Sequence, residues 1–251
     1  MSESKNRKKK AVVMIPTYNE RENIEDLIRE ILALESDLEL CVLVADDNSP
    51  DGTGQIVTRM SQKDHRIHAL IRTKRRGRGT GGIDGFREAL KLRPDYIVEM
   101  DGDFSHQPKF IPSLLAEAEN YDCVIGSRFV KGGKDQNRHI GRRLITFLAR
   151  KFIRHQFRVP VQDVSSGFRC FKARVLKMVD LDDCISIGPS IVLEILYKAH
   201  LLDFTMTEVP ITFVDRTRGK TKLNLIILMD TLLMALLFKK RYTRASVRHT
   251  S

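Results

Sequence analysis

The sequence predicts an α/β fold: one domain built on a mostly parallel central sheet with helices on both faces. Three observations carry that reading. Short continuous apolar runs alternate with helically spaced segments through the first half of the chain. Those runs are apolar on both faces, as strands of a parallel sheet covered on two sides must be. Each run ends in a cluster of polar residues, and ligands of such sheets collect at the carboxyl ends of the strands.

Taken in order, Ala11 to Pro16 (AVVMIP) reads as the first strand. A helix follows in RENIEDLIREILAL, with Ile24, Leu27, Ile28, Ile31 and Leu32 on one face. LCVLVAD is the second strand, GTGQIVTRMSQ a helix, IHALIR the third strand and GGIDGFREALKL a helix. YIVEM is the fourth strand, PKFIPSLLAEAEN a helix, and DCVIGSRF a further strand. The polar clusters are Pro16 to Glu20, Asp46 to Ser49, Asp101 to Asp103, and Ser127 with Arg128. Their common position at strand ends marks one edge of the sheet as a binding site.

Composition narrows the partners. The 251 residues carry 43 Lys and Arg against 32 Asp and Glu, a formal charge of +11 that favours an anionic partner. No helix-turn-helix, zinc-finger or RNP pattern is present, so nucleic acid is not the expected anion. Four scattered cysteines without a CxxC pair argue against zinc and suit a reducing, cytoplasmic setting. Residues 1–10 form a basic arm, read as flexible and unlike a signal peptide. Residues 223–251 hold an apolar or amphipathic helix and a basic tail. Its apolar run, Leu223 to Phe238, is short of the ~20 residues of a membrane span and contains Asn224 and Asp230.

Asp101 and Asp103, separated by Gly102, pose an electrostatic question, because neighbouring carboxylates repel. Hard oxygens at this spacing suit Mg²⁺ or Mn²⁺, which bridge to substrate phosphates and need few protein ligands. A DxD triplet alone is a weak signal; its place at the end of a strand strengthens it.

The ordered set IPTYNERENI, VADDNSPDGT, GRGTGGIDGF, MDGDFSH, GSRFVKGG, SSGFRCF and DRTRGKTKL is more specific than any one of these. Through it the chain resembles family 2 inverting glycosyltransferases of the GT-A (Rossmann-like) fold, and among them the dolichol-phosphate (polyprenol-phosphate) mannose synthases. The resemblance implies residues 11–222 as catalytic domain, GDP-mannose as donor, polyprenyl or dolichyl phosphate as acceptor, and Mg²⁺ or Mn²⁺ as cofactor. It implies donor contacts from Pro16, Tyr18, Glu20, Asp46, Asp47 and Asp101, and metal ligation by Asp101 and Asp103. Ser105 stands where a Gln is often found, which weakens a third metal ligand to one acting through water. Arg128, Arg142, Thr146, Arg216 and Lys222 match acceptor-phosphate residues, and Asp103, Arg128, Arg216 and Lys222 are the expected catalytic group. Arg78 replaces a usual Leu, Gly81 a frequent Ala and Thr221 a usual Ser. The competing reading is a UDP-sugar enzyme of the same family moving glucose or an amino sugar.

A phosphate acceptor is already largely dianionic near neutrality, so the site needs positive charge and positioning more than a base. His106 is open to two roles, facing the diphosphate or making a structural hydrogen bond. Asp163 and Arg169 are expected to pair across SSGF. Because the acceptor is a lipid, contact with a membrane is expected at the cytoplasmic face, through Ile140 to Val159 and the 223–251 segment. The alternative anchor is a membrane-bound partner subunit, since the chain ends before the extra spans some relatives carry.

Overall fold

The computed structural model describes residues 7–73, 77–136, 150–214 and 225–248, with 225–232 and 248 described by their backbone only. The strands of the main sheet are β1 (Lys10–Thr17), β2 (Glu39–Asp46), β3 (Ile67–Ile71), β4 (Tyr96–Glu99), β5 (Cys123–Ser127), β7 (Arg169–Lys172) and β8 (Met206–Pro210). A two-stranded parallel ribbon pairs β6 (Lys134–Gln136) with β9 (Thr212–Val214). The main sheet has seven strands in the order β3-β2-β1-β4-β7-β5-β8. Only β7 is antiparallel to its two neighbours; the other pairings are parallel.

The helices are α1 (Ile24–Leu32), α2 (Thr53–Ser61), α3 (Arg78–Lys91), α4 (Ile111–Glu117), α5 (described over 150–157), α6 (Ala173–Met178), α7 (Ile191–Leu201), α8 (Leu225–Arg241) and α9 (Arg244–Arg248). Strand alternation splits the core in two. Val12, Met14, Cys41, Leu43 and Ile97 pack with α3, α7 and the end of α8. Ala11, Val13, Ile15, Val42, Val44 and Val98 pack with α1, α2 and α4. Each strand thus sends successive side chains into opposite layers, which is why the runs are apolar throughout.

The expected α/β arrangement, a mostly parallel central sheet with helices on both faces, is present, with refinements. The third helix starts at Arg78, earlier than the GGIDGF stretch suggested, so Arg78 and Gly79 lie in its first turn. PKF forms a separate 3₁₀ turn before α4. The reversal of β7 sets the site: its first residue, Arg169, pairs with Glu99, the last residue of β4. The SSGF segment that leads into β7 therefore arrives at the same edge where β1, β2, β4 and β5 end.

Candidate active site

The loops after β1 and β2 are laced together. Thr17 Oγ1 donates to Asp46 Oδ1 at 2.9 Å, the Ser49 hydroxyl reaches the same oxygen at 2.6 Å, and the Ser49 N–H takes Oδ2 at 2.8 Å. Asp46 is fully buried, so it organises the loops from beneath. Asn19 N donates to Ser49 Oγ and Glu20 N to Thr53 Oγ1, fixing the first loop on the second. Pro16, Tyr18 and Glu20 remain partly exposed on this rim. The turns carry Asn19, Asn48 and Phe104 at φ of 60°, 52° and 61°. Asparagine tolerates the left-handed region; for phenylalanine it is a strained choice held by the surrounding contacts.

Asp47 is nearly buried and ion-paired with Arg72 at the end of β3, while its Oδ2 accepts Gly77 N–H at 2.9 Å. Arg72 also holds Asp84 of α3 at 2.9 Å. Nothing in the local sequence pattern of Arg72 links it to a residue 25 positions away, so this pair is not legible in the sequence.

The Asp101-Gly102-Asp103 turn packs tightly on the first loop. A Cβ at Gly102 would lie 3.1 Å from Thr17 Cγ2 and 3.5 Å from Glu20 Cγ, so glycine brings the two loops into contact. Asp101 is the open member, with 38% of its side chain exposed. Its backbone N–H donates to His106 Nδ1 at 3.1 Å, which leaves the imidazole proton on Nε2. His106 stacks on Phe168 at 5.1 Å, and burial pushes its pKa down. Of the two roles left open, the hydrogen-bonding one is realised. Asp103 is mostly buried; its Oδ1 accepts the Ser105 N–H at 3.1 Å and the Ser105 hydroxyl at 2.6 Å. Ser105 thus aims Asp103, and its hydroxyl proton is committed to that carboxylate.

Arg128 forms a two-pronged ion pair with Asp163, Nε to Oδ2 at 2.7 Å and Nη2 to Oδ1 at 2.8 Å, and lies between Phe129 and Phe213. Asp163 is in turn held because its own N–H and that of Gln162 donate to Glu208. The expected Asp163–Arg169 pair does not form. Arg169 pairs with Glu99, its neighbour across β4 and β7, and donates to the Val192 carbonyl at 2.6 Å. Glu99 is fully buried and also faces Arg78 at 2.9 Å; Arg78 reaches Asp101 at 3.4 Å. Neither Glu99 nor this link was anticipated from sequence. Arg142, Thr146, Arg216 and Lys222 lie outside the described residues.

A divalent cation fits this edge by the chemistry of its donors. No group of three His, Cys, Asp or Glu forms a metal cluster among the described residues. Asp101 and Asp103 supply two hard carboxylates, which suits an ion that completes its shell with water and phosphate oxygens.

The glycosyl transferase family 2 profile matches residues 12–180 of the chain. An undecaprenyl-phosphate mannosyltransferase of Micrococcus luteus is 37% identical over 217 residues, covering 86% of this chain and 88% of the relative. A polyprenol monophosphomannose synthase of Mycolicibacterium smegmatis is 34% identical, covering 86% of this chain and 81% of that one. A dolichol-phosphate mannosyltransferase of Pyrococcus furiosus is 38% identical over 85% of this chain, and the match spans 59% of that longer protein. Among solved structures, glucosyl-3-phosphoglycerate synthase of Mycobacterium tuberculosis, in complex with Mn²⁺, UDP and glucosyl-3-phosphoglycerate, superposes with a TM-score of 0.67 at 19% identity, covering 92% of this chain and 80% of that one.

Proposed function

Because the chain belongs to glycosyl transferase family 2, we propose that it moves mannose from GDP-mannose to polyprenyl (dolichyl) phosphate with inversion, giving a β-mannosyl phosphate. The observation that carries this is the strand-end edge. There the Asp101-Gly102-Asp103 turn is packed on the Pro16–Glu20 loop, in a chain whose relatives over most of its length are named for mannosyl transfer to polyprenyl phosphates.

Asp101 and Asp103 are the residues to hold Mg²⁺ or Mn²⁺, which when bound supplies positive charge to the leaving diphosphate. Within the chain, Ser105 fixes the Asp103 carboxylate and His106 fixes the backbone of Asp101. Asp47 and the rim residues Pro16, Tyr18 and Glu20 form the nucleotide side. Asp46 acts by holding that rim in place. Arg128, aimed by Asp163, is assigned to the acceptor side; the family resemblance assigns Arg142, Thr146, Arg216 and Lys222 the same role. The acceptor phosphate brings its own nucleophilic oxygen, so these residues position it and reduce its repulsion from the donor.

The acceptor's lipid chain calls for a membrane surface. No helix among the described residues is long and apolar enough to cross a bilayer. Contact is then peripheral, at the cytoplasmic face, through α8 and α5, or through a membrane-bound partner subunit. The test is to supply polyprenyl phosphate, Mg²⁺ or Mn²⁺, and labelled GDP-mannose, UDP-glucose or UDP-N-acetylglucosamine. Label is expected in the lipid phase from GDP-mannose, as the β anomer. Transfer from a UDP-sugar instead, or an α-linked product, would replace this reading.

A further inference from the structure

Arg78 stands where the family resemblance leads one to expect leucine, and the fold has built a slot for it. Gly77 sits at φ 145°, and a Cβ on Gly79 would come within 2.4 Å of the Ser186 carbonyl oxygen. The Gly79 N–H donates to the Ile187 carbonyl at 2.8 Å. Those contacts pin the start of α3 against the segment before α7, with Arg78 between the two glycines. Its guanidinium then passes two more glycines: a Cβ at Gly82 would be 3.4 Å from Nη1, and one at Gly167 3.4 Å from Nη2.

The slot delivers the charge to the acidic turn. Nη2 lies 2.9 Å from Glu99 Oε1 and 3.4 Å from Asp101 Oδ1. Glu99 is already paired through its other oxygen with Arg169. One buried glutamate is therefore shared by two arginines, and the group Arg169–Glu99–Arg78–Asp101 reaches neutrality only when Asp101 is counted. Nη1 is buried and has no hydrogen-bond partner among the described residues.

A divalent cation arriving on Asp101 takes the carboxylate that balances Arg78 and places like charge beside it. A diphosphate arriving with the cation restores the balance and offers acceptors to the guanidinium. Resting on the donor-site assignment above, we propose that Arg78 is a specificity-determining residue of the donor site, a fixed counter-cation to Asp101. It weakens binding of the bare metal ion and strengthens binding of the nucleotide diphosphate, so that the two are taken up together.

The experiment measures Mn²⁺ binding by electron paramagnetic resonance and GDP binding by calorimetry, each alone, on the full chain. In Arg78→Leu, Mn²⁺ alone should bind about tenfold tighter and GDP alone about tenfold weaker, within the usual range of coupling between sites. Arg78→Lys should stay near wild type in both. A residue that merely supports the fold would move both affinities in one direction. Leucine at this position leaves Glu99 with one arginine instead of two. The comparison is therefore repeated between Glu99→Gln and the double variant Arg78→Leu/Glu99→Gln, where that charge is absent. Mn²⁺ affinity within twofold of the matched parent in both backgrounds overturns the inference and leaves the donor-site assignment standing. Absence of Mn²⁺ binding from wild type, with and without GDP, overturns both.

Discussion

Among single residues, Asp163 shows how a buried charge is tolerated and what it does. Burial by itself works to raise its pKa, but the Arg128 guanidinium and its hydrogen bonds outweigh that and hold the carboxyl below its ordinary range. A depressed folded pKa stabilises the protein above the unfolded value of about 4. That stabilisation is lost as pH falls through the lower, folded value. Asp163→Asn leaves Arg128 buried without its counter-charge and is expected to cost about 3 kcal/mol at pH 7. Urea unfolding of both proteins from pH 7 to pH 3 checks the sign: the gap should shrink with acid, and a constant gap would refute the charge argument. The same residue marks the limit of sequence reading. Asp101, Asp103 and the polar strand ends were legible because each is a local pattern. The partners of Asp163, Asp47 and Glu99 were not, because sheet order brings together residues 35, 25 and 70 positions apart.

At the scale of elements, the C-terminal helices are tied to the segment that packs on the start of α3 through one carboxylate. Glu194 of α7 is fully buried and accepts the N–H groups of Ile185 and Ser186 at 2.8 and 2.9 Å. The Tyr242 hydroxyl, just past α8, lies 2.6 Å from Glu194 Oε1 and 2.8 Å from the Asp183 carbonyl. Its single proton favours the charged acceptor. Burial, then Glu194, pushes the Tyr242 pKa well up, so the proton stays. The segment from Cys184 to Ser190 is thereby clamped on one side by Tyr242 and on the other by the glycines that begin α3. Tyr242→Phe should cost about 1–2 kcal/mol in urea unfolding, since a buried carboxylate loses one of its donors; an unchanged midpoint would show the clamp to be idle. The sequence pattern marks the C-terminal helix but assigns no element to residues 160–222, where β7 and α7 lie. β7 is four residues that begin with Arg169 and end with Lys172, and its buried arginine reads as polar until Glu99 is known to face it. In α7, Glu194 and Lys198 are buried along with the apolar residues, so the helix lacks the polar stripe that identifies a surface helix.

For the molecule as a whole, the question is how a domain without a spanning helix among its described residues meets a lipid-borne phosphate. One face of α8 is committed inward: Ala235, Phe238 and, beyond the helix, Tyr242 are buried. The opposite face carries Leu233, Leu236 and Leu237, spaced three and four apart and exposed at 60%, 51% and 45%. Lys239, Lys240 and Arg241 follow directly, and Lys239 bonds Gln156 of α5 at 2.8 Å, beside exposed Phe152, Lys151 and Arg154. Leucines that dip into a bilayer next to cations that meet anionic headgroups form the pattern of an interfacial helix. Both contributions are measurable separately. Leu233→Ser/Leu236→Ser should lower partitioning onto vesicles containing phosphatidylglycerol by on the order of 100-fold, from two side chains worth about 1.5 kcal/mol each. GDP affinity in solution should not change, because these positions lie on the outer face of α8. Lys239→Ala/Lys240→Ala should weaken the same partitioning at low salt and do little at 0.5 M, where about 4 Å of screening length remains. Partitioning unaffected by either pair would move the membrane contact off this face and make a membrane-bound partner the route to the acceptor.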